Sequence, residues 1–314
     1  MNNAALTLHN TQELGAQASP AAMFYRWESF IEGSPQTVQT YSRAVRQFLR
    51  YLQEREISQP TKDDVKAFRE ELRATGHKPT TVQNYIMAVK QFFKWTAEAG
   101  LYPNIAEHVK GAKLDTEHKK DALTPRQIQA ILAGIDRETL QGKRDFAIVA
   151  LMTTAGLRAI EVVRANIEDM RTVADFTALY LQGKGHEEKS QYVKLAPQVE
   201  DAIRDYLQAR GRAGESDPLF VPAGNKNAGG RLTTRSVSRI VKDHMRAAGL
   251  DSSRLTAHSL RHTCATLNLL NGGSVEETQQ LLRHRNINTT LIYSHALERA
   301  QNNSETRIAA AIFN

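Results

Sequence analysis

Six residues in the C-terminal two thirds of the chain have side chains that could act together on a phosphodiester. In chain order they are Arg158, Lys184, His258, Arg261, His284 and Tyr293. Attack on a phosphodiester needs a nucleophile, cations around the non-bridging oxygens of the pentacoordinate transition state, and an acid for the departing oxygen. One tyrosine, two arginines, one lysine and two histidines supply side chains for all of these roles.

The local settings of these residues are informative mainly in combination. Arg158 follows a glycine at the end of a predicted apolar helix, and Lys184 lies between two glycines in a predicted turn. The string His-Ser-Leu-Arg places a histidine and an arginine one helical turn apart, and Tyr293 follows a loop-like Arg-Asn-Ile-Asn-Thr-Thr. Alone, an arginine usually forms a surface ion pair and a buried tyrosine usually belongs to the core. The ordered set is far more specific than any member.

Three amphipathic helices are predicted in the N-terminal third, over residues 35–54, 62–74 and 79–99. We expect Ser34 to cap the first of them, with Pro35 in its first turn. The third helix begins Pro-Thr-Thr-Val-Gln-Asn-Tyr and the first begins Pro-Gln-Thr-Val-Gln-Thr-Tyr. Two copies are too few for a solenoid, so the similarity indicates two related helices in one small bundle.

Cationic side chains lie on the faces that the apolar stripes of the first and third helices leave free. They are Arg43, Arg46, Arg50, Lys90 and Lys94. This spacing is typical of a face that contacts nucleic acid, and equally of an ordinary solvated face. The pattern alone leaves both interpretations open.

The chain is predicted to be mainly α-helical with a small antiparallel β-sheet. Its predicted parts are a flexible N-terminal extension (1–20), a helical domain (21–112), a linker (113–121) and an α+β domain (122–314). In the α+β domain, β-prone runs at residues 176–181 and 191–195 predict a hairpin, and residues 305–313 predict a short tail helix.

Bulk composition limits the classes of protein that the chain can be. Its 314 residues are 41% hydrophobic, enough for two cores, and the net charge of +7 suits a polyanionic partner, although a basic enzyme without nucleic acid fits too. The single cysteine, Cys264, excludes an internal disulfide and is expected to be a packed core thiol. No apolar run suits a membrane span or a secretory signal, and no residue cluster has metal-ligand spacing. We therefore expect a cytoplasmic protein without a metal site.

The motifs around the six residues resemble those of the tyrosine recombinase, or phage integrase, family. The matching strings are Thr-Ala-Gly-Leu-Arg158-Ala-Ile-Glu161, Gly-Lys184-Gly, His258-Ser-Leu-Arg261-His262-Thr, Leu-Leu-Arg-His284 and Asn-Thr-Thr-Leu-Ile-Tyr293-Ser-His. The helical N-terminal region also resembles the core-binding domain of that family, so the resemblance covers nearly the whole chain. One departure is Arg283, where the family commonly has glycine before the second histidine.

The resemblance implies a clamp on the scissile phosphate. Arg158 and Arg261 would hold its oxygens, for which bidentate guanidinium geometry is suited. Glu161, three residues after Arg158, would orient that arginine, although a simple surface acid fits the sequence nearly as well.

The resemblance also implies the covalent chemistry. Tyr293 would attack the phosphorus, leaving a 3′-phosphotyrosyl bond and a free 5′ hydroxyl. His258 and His284 would add hydrogen bonds and manage the tyrosine proton, Lys184 would protonate the leaving 5′ oxygen, and His262 would brace the site. The covalent link conserves the energy of the phosphodiester, so neither ATP, metal nor another cofactor is required.

The implied partner is double-stranded DNA with specific recombination sites, clamped between the two domains and contacted by the five N-terminal cations. In related recombinases a tail like residues 305–313 docks on a neighbouring subunit, which implies a homotetramer on synapsed DNA. The alternative is a tail folded on its own domain. A second recombinase or an accessory protein is left open, no membrane is involved, and the protein would be nucleoid-associated in the cytoplasm.

Four functions fit the sequence. The first is integration or excision of a mobile element, and the second is Xer-like resolution of chromosome or plasmid dimers by the same chemistry. The third is a type IB topoisomerase, which has the same catalytic set but does not pair sites. The fourth is a DNA-binding factor without catalysis, against which the intact set of polar residues argues.

Overall fold

The computed structural model describes residues 20–113, 121–182, 188–224 and 229–313. The chain divides into two compact units, Met1–Glu117 and His118–Asn314. Within the described ranges, every helix is too short or too polar to cross a bilayer. The predicted extension and linker fall almost wholly outside the described residues, except that Pro20 already begins a helix.

The described part of the first unit is a bundle of helices. They are α1 (Pro20–Phe30), α2 (Pro35–Glu54), α3 (Lys62–Ala74) and α4 (Pro79–Glu98). The side chain of Ser34 accepts a hydrogen bond from the backbone N–H of Thr37, which confirms the predicted cap of α2. The similar helices α2 and α4 pack against each other. Helix α1 was not predicted, because its main anchor is the single buried residue Trp27 rather than a regular stripe.

Aromatic side chains fill the core of this bundle. The ring of Phe48 lies 5.1 Å from the ring of Phe68 and 5.9 Å from that of Phe93, and all three are buried. The ring of Trp27 meets that of Phe92 at 5.6 Å and near a right angle. Removal of one such buried ring typically costs about 3–5 kcal/mol of folding free energy.

In its described part, the second unit consists of helices and a small sheet. The helices are α5 (Pro125–Ala133), α6 (Leu140–Thr154), α7 (Ala159–Arg164), α8 (Pro197–Arg210), α9 (Thr234–Ala247), α10 (Ala257–Leu270), α11 (Val275–Leu282), α12 (Asn288–Gln301) and α13 (Ser304–Phe313). Helix α6 is the centre of the unit, because it is buried on most sides and packs against α8, α9 and α10. The predicted tail helix is confirmed as α13.

The sheet has three antiparallel strands in the order β1 (Met170–Val173), β2 (Phe176–Leu181), β3 (Gln191–Lys194). Leu179 of β2 pairs with Met170 on one side and Val193 on the other. The predicted hairpin of β2 and β3 is confirmed, whereas β1 was not predicted because its sequence, Met-Arg-Thr-Val, does not alternate between apolar and polar residues. Together these findings confirm the predicted fold class.

Candidate active site

Four elements of the second unit bring most of the predicted residues together. Arg158 is the N-cap of α7, Arg261 lies in α10, His284 follows α11, and Tyr293 lies in α12. Helix α10 packs against both α11 and α12, which in turn pack against each other. The candidate site is therefore built where the three helices meet, beside the start of α7.

Arg158 and Glu161 form a reciprocal contact at the start of α7. Glu161 Oε2 accepts a 2.8 Å hydrogen bond from the backbone N–H of Arg158, and Oε1 accepts a 2.7 Å bond from Arg158 Nη1. The Glu161 side chain is fully buried, whereas that of Arg158 is 30% exposed. Burial by itself would raise the pKa of Glu161, but Arg283 and Arg158 outweigh burial and hold the pKa below its ordinary value. A charged Glu161 thus fixes an arginine that remains open to solvent.

The guanidinium of Arg261 is buried and held by backbone carbonyls. Nη1 donates to the carbonyl oxygen of Gly156 and Nη2 to that of Leu282. Burial, together with the nearby Arg158 and Arg283, lowers the pKa of Arg261 to about 9, so that the group is still charged at neutral pH.

Gly156 can have no side chain in this arrangement. Its φ is +59°, and a Cβ atom would lie 2.5 Å from Leu282 Cδ2. Because the same glycine supplies a carbonyl to Arg261, the close packing of the chain around Gly156 also orients the arginine.

His284 is held by its backbone and by its ring. Its N–H donates to the Gln279 carbonyl at 3.1 Å, and its own carbonyl accepts from Gln279 Nε2 at 3.0 Å. Nδ1 lies 2.9 Å from Oγ1 of the fully buried Thr290. Burial, reinforced by Arg261 and Arg158, lowers the pKa of His284 to about 4. The imidazole is therefore neutral at pH 7, with one donor and one acceptor nitrogen.

Tyr293 is 6% exposed and packs with Cys264, Ala265 and Leu282. Its ring lies parallel to that of His284, at 6.5 Å between centroids and an angle of 6°. Burial raises the pKa of the phenol, although Arg261 and Arg158 oppose the shift. The hydroxyl is therefore protonated at neutral pH, and the phenol needs a proton acceptor to become a nucleophile.

His258 and His262 extend the cluster along α10. The ring of buried His262 lies 5.1 Å from that of Tyr293, and 4.8 Å from that of exposed His258 at nearly a right angle. His262 thus lies between Tyr293 and His258, and its bracing role stays a prediction.

Two sequence predictions remain, the loop before Tyr293 and the role of Lys184; the structure corrects the first and does not test the second. The stretch 285–290 was predicted to be a loop, but α12 begins at Asn288, where the side-chain oxygen of Asn286 accepts from the backbone N–H of Asn288 at 2.9 Å. The error arose because Asn and Thr are poor helix formers that nonetheless suit a helix start. Lys184 lies outside the described residues, so its role stays a prediction.

Two residues of the site were not among the catalytic and supporting residues predicted from the sequence. Arg283 has φ of +55°, and its side chain, 5% exposed, places Nη2 at 2.9 Å from Glu161 Oε2. The sequence gives one signal for it, an arginine where the family commonly has glycine. Thr290 gives none, because its burial and its contact with His284 depend on tertiary packing.

The five predicted DNA-contacting cations all lie on α2 and α4. The side chains of Arg43, Arg46, Arg50 and Lys94 are exposed, and Lys90 is half-buried with its amine 3.0 Å from the Glu107 carbonyl. Arg46 also lies over the ring of Phe24, and Lys94 pairs with Glu98 at 3.7 Å. Contact with DNA stays a prediction for all five.

Comparison with known proteins identifies the family. The model of the phage integrase family matches residues 121–299, and that of the phage integrase N-terminal SAM-like domain matches residues 30–100. The chain belongs to the phage integrase family.

Curated members of this family are similar to the chain over much of its length. It is 31% identical to the tyrosine recombinase XerC of Chlamydia trachomatis serovar D over 236 residues, 75% of this chain and 73% of that protein. It is 33% identical to the XerC of Caldanaerobacter subterraneus subsp. tengcongensis over 195 residues, 61% of this chain and 52% of that protein. In that alignment the chain spans about half the length of its relative.

Solved structures of recombinases have the same fold as this phage integrase family member. The XerH site-specific recombinase, in a post-cleavage complex with a palindromic difH substrate, superposes with a TM-score of 0.72 and 20% identity, covering 92% of this chain and 85% of that one. The lambda integrase tetramer bound to a Holliday junction gives 0.67 and 16%, covering 89% and 78%. At these identities the likeness supports the fold and not the details of the site.

Proposed function

We propose that the chain is a tyrosine-type site-specific DNA recombinase that cleaves and rejoins DNA through a 3′-phosphotyrosyl intermediate. The observation that carries this proposal is the position of the Tyr293 ring, 5.1 Å from that of His262 and 6.5 Å from that of His284, with Arg261 and Arg158 near enough to oppose the rise in its pKa that burial causes. A phenol surrounded by two guanidinium groups and neutral imidazole has the parts that phosphoryl transfer requires. Membership of the phage integrase family agrees with this chemistry.

Arg158 and Arg261 would bind the scissile phosphate in different ways. Arg158 is partly exposed, so an approaching phosphate would meet it first. Arg261 is 1% exposed and is held by two carbonyls. Because Tyr293 is also buried, DNA binding would have to displace α12 enough to bring the phosphate to the hydroxyl. In a site shielded from water, the attraction between these cations and the phosphate strengthens.

Proton transfer would begin at His284. If Nδ1–H donates to Thr290, Nε2 is the acceptor that takes the phenol proton as the Tyr293 oxygen bonds to phosphorus. The bond from phosphorus to O5′ breaks as the new bond forms, and Lys184 would protonate the leaving O5′. One phosphodiester is exchanged for another, so rejoining by the reverse path needs no energy source or cofactor.

The biological role within this class is Xer-like resolution of replicon dimers or integration and excision of a mobile element. The names of the curated relatives favour the Xer-like role. Recombination between two sites in one circle, compared with recombination between separate molecules, distinguishes resolution from integration. Relaxation of supercoils without exchange between sites would instead indicate a topoisomerase.

Double-stranded DNA would be the partner, contacted by the cations of α2 and α4, and the active form would be a homotetramer. The tail helix α13 supports the proposed oligomer, because it exposes large apolar side chains. Ile308 is 59% exposed, Ile312 67% and Phe313 84%. Such an apolar face is typical of a surface that a neighbouring subunit covers. A second recombinase or an accessory protein could share this assembly, and a protein that acts on replicons would work in the cytoplasm at the nucleoid.

The decisive experiment is to trap the covalent intermediate. Duplexes would be selected from fragmented host DNA by binding to the 314-residue chain. They would then be nicked near the bound site, so that the cleaved end diffuses away, and resolved by denaturing electrophoresis. We expect a DNA adduct whose attached peptide contains Tyr293, and none with Tyr293→Phe at similar DNA affinity. Tight specific binding without any adduct would instead support a DNA-binding factor without catalysis.

A further inference from the structure

Arg283 occupies an unusual position for an arginine. It ends α11 in the left-handed region, with φ of +55°, where glycine is the residue without steric cost. Its side chain is nevertheless 5% exposed, and Nε is buried without a hydrogen-bond partner among the described residues. Strained backbone and a buried cation both oppose folding, so an arginine here needs a compensating interaction.

That interaction is an ion pair with Glu161. Arg283 Nη2 lies 2.9 Å from Glu161 Oε2, and Nη1 donates to the Leu281 carbonyl at 2.7 Å. The two ion-paired residues are 122 positions apart in the chain. The pair therefore links the end of α11 to the start of α7.

Glu161 is shared between two guanidinium groups. Its Oε2 accepts from Arg283 Nη2 and from the Arg158 backbone, and its Oε1 accepts from Arg158 Nη1. A single carboxylate offsets the charge of only one of these two arginines. Without Arg283, the carboxylate would neutralise Arg158 more fully and would be held only by its two hydrogen bonds to Arg158.

We propose that Arg283 is a positioning residue, which holds the Glu161 carboxylate from one side and so fixes the guanidinium of Arg158 and preserves its charge for the phosphate. The inference rests on the proposed function, since it assigns Arg158 to the phosphate. Because the family commonly has glycine at this position, the ion pair is a feature of this chain rather than of the family chemistry. A guanidinium held by a second side chain loses less entropy when it binds an oxyanion.

Electrostatics support the same role. The charged groups that face Glu161 are Arg158 at the start of its own helix, Arg283 at the end of α11 and, with a weaker effect, Arg261 of α10. Arg283 is the strongest of the influences that lower the pKa of Glu161, and burial acts in the opposite direction. Loss of Arg283 would raise the pKa of Glu161, and protonation of the carboxyl would then release Arg158 as the pH falls.

The test compares Arg283→Lys, Arg283→Met and Arg283→Gly with the wild-type chain. Lysine keeps the charge and the strained backbone, methionine keeps only the strain and much of the volume, and glycine removes the side chain while relaxing the backbone. Arg210→Met is the matched control, because Arg210 is also largely buried and donates to a carbonyl, that of Pro218, at 2.6 Å. Single-turnover cleavage of the nicked duplex, the Kd for that duplex, and the thermal midpoint would be measured for each.

We expect the methionine and glycine variants to cleave roughly 10- to 100-fold more slowly, as is typical when a reacting group is misplaced by about 1 Å. Their Kd for DNA should stay near that of the wild type, and lysine should restore most of the rate. Cleavage by the methionine variant should also fall as the pH is lowered, in a range where the wild type keeps its rate.

Several results would overturn the inference. Methionine and lysine variants that cleave equally fast, or a loss of rate in Arg210→Met that matches the loss in Arg283→Met, would reduce Arg283 to a structural ion pair. If Arg283→Met does not fold, Arg283→Gly replaces it in the test. Cleavage by Arg283→Gly at the wild-type rate would also show that Arg283 is only a structural ion pair. Absence of an adduct with the wild-type chain would refute the proposed function itself, and the role of Arg283 with it.

Discussion

The hydroxyl oxygen of Thr290 lies 2.9 Å from Nδ1 of His284. Thr290 is fully buried in the first turn of α12, three residues before Tyr293, so the helix that presents the tyrosine also orients the histidine. A neutral imidazole has one donor and one acceptor nitrogen, and a bond at Nδ1 therefore decides what Nε2 can do.

Replacement of Thr290 by valine should slow cleavage by about 10-fold or more, since general base catalysis contributes about 10²–10⁴-fold and only the orientation of the base is lost. Thr290→Ser keeps the hydroxyl and should keep most of the rate. Thr289→Val, at the adjacent exposed position, is the control. Single-turnover cleavage is the measurement, and equal rates for the valine and serine variants would contradict the role given to Thr290.

The low pKa of His284 predicts a dependence of stability on pH. Burial, with help from Arg261 and Arg158, lowers its pKa from 6.5 to about 4 in the folded chain. Between these values the unfolded chain binds a proton that the folded chain does not, so stability is complete above pH 6.5 and is lost as the pH falls towards 4.

The free energy of unfolding in urea, measured across this pH range, should fall less steeply in His284→Gln than in the wild type. His295→Gln, which removes an exposed imidazole from the same helix, should leave the slope unchanged. Identical slopes for the wild type and His284→Gln would show that the histidine is not held neutral.

Lys184→Ala should slow cleavage while leaving DNA affinity nearly unchanged, because the lysine is expected to act as an acid on the leaving oxygen. A substrate with sulfur at the 5′ bridging position has a leaving group that needs no protonation. This substrate should restore the cleavage rate of Lys184→Ala but not that of Tyr293→Phe. A large loss of DNA binding by Lys184→Ala would instead make the lysine an anchor for the backbone.

The exposed apolar face of α13 predicts that assembly and cleavage can be separated. Ile308→Asp with Ile312→Asp should weaken the tetramer on DNA and reduce exchange between two sites by about 10-fold or more, as expected when apolar interface side chains are replaced by charges. Cleavage at a single site and the thermal midpoint should change little, because both side chains are largely exposed in the single chain.

Thr306→Asp with Ala310→Asp adds the same two charges away from Ile308 and Ile312 on α13 and serves as control. Sedimentation of the complexes with DNA measures assembly. A large drop in thermal midpoint for the isoleucine variants would mean that the tail folds on its own domain.

A chelator such as EDTA should leave cleavage intact, since the transfer exchanges one phosphodiester for another and arginines supply the positive charge. The measurement is adduct formation with and without EDTA, with added Mg²⁺ as the comparison. Strict dependence on a divalent cation would contradict the proposed mechanism.

Local features of the fold were predictable because short-range interactions determine them. Ser34 before Pro35 caps α2, as its sequence indicates, and the hairpin was visible in its β-prone runs. Helix α1 and strand β1 were missed because packing against the rest of the chain stabilises them more than any pattern of their own.

The site also combines features that the local sequence reveals with contacts that only packing creates. Tyr293 and the arginines were found because their types and order are distinctive, whereas the contact of Arg283 with Glu161 joins residues far apart in the chain. Thr290 looks like any threonine of a helix start until its burial is known. The residues proposed to react could therefore be named from the sequence, whereas the residues that hold them required the structure.

The burial of Tyr293 has a consequence for the cell. A side chain that forms durable bonds with phosphodiesters would be dangerous if it were open to every passing nucleic acid. With 6% of the residue exposed and its ring packed against His262, the tyrosine would be sheltered until a bound duplex rearranged its surroundings. Latency of this kind would let a recombinase of the proposed type move among long stretches of unrelated DNA without breaking them.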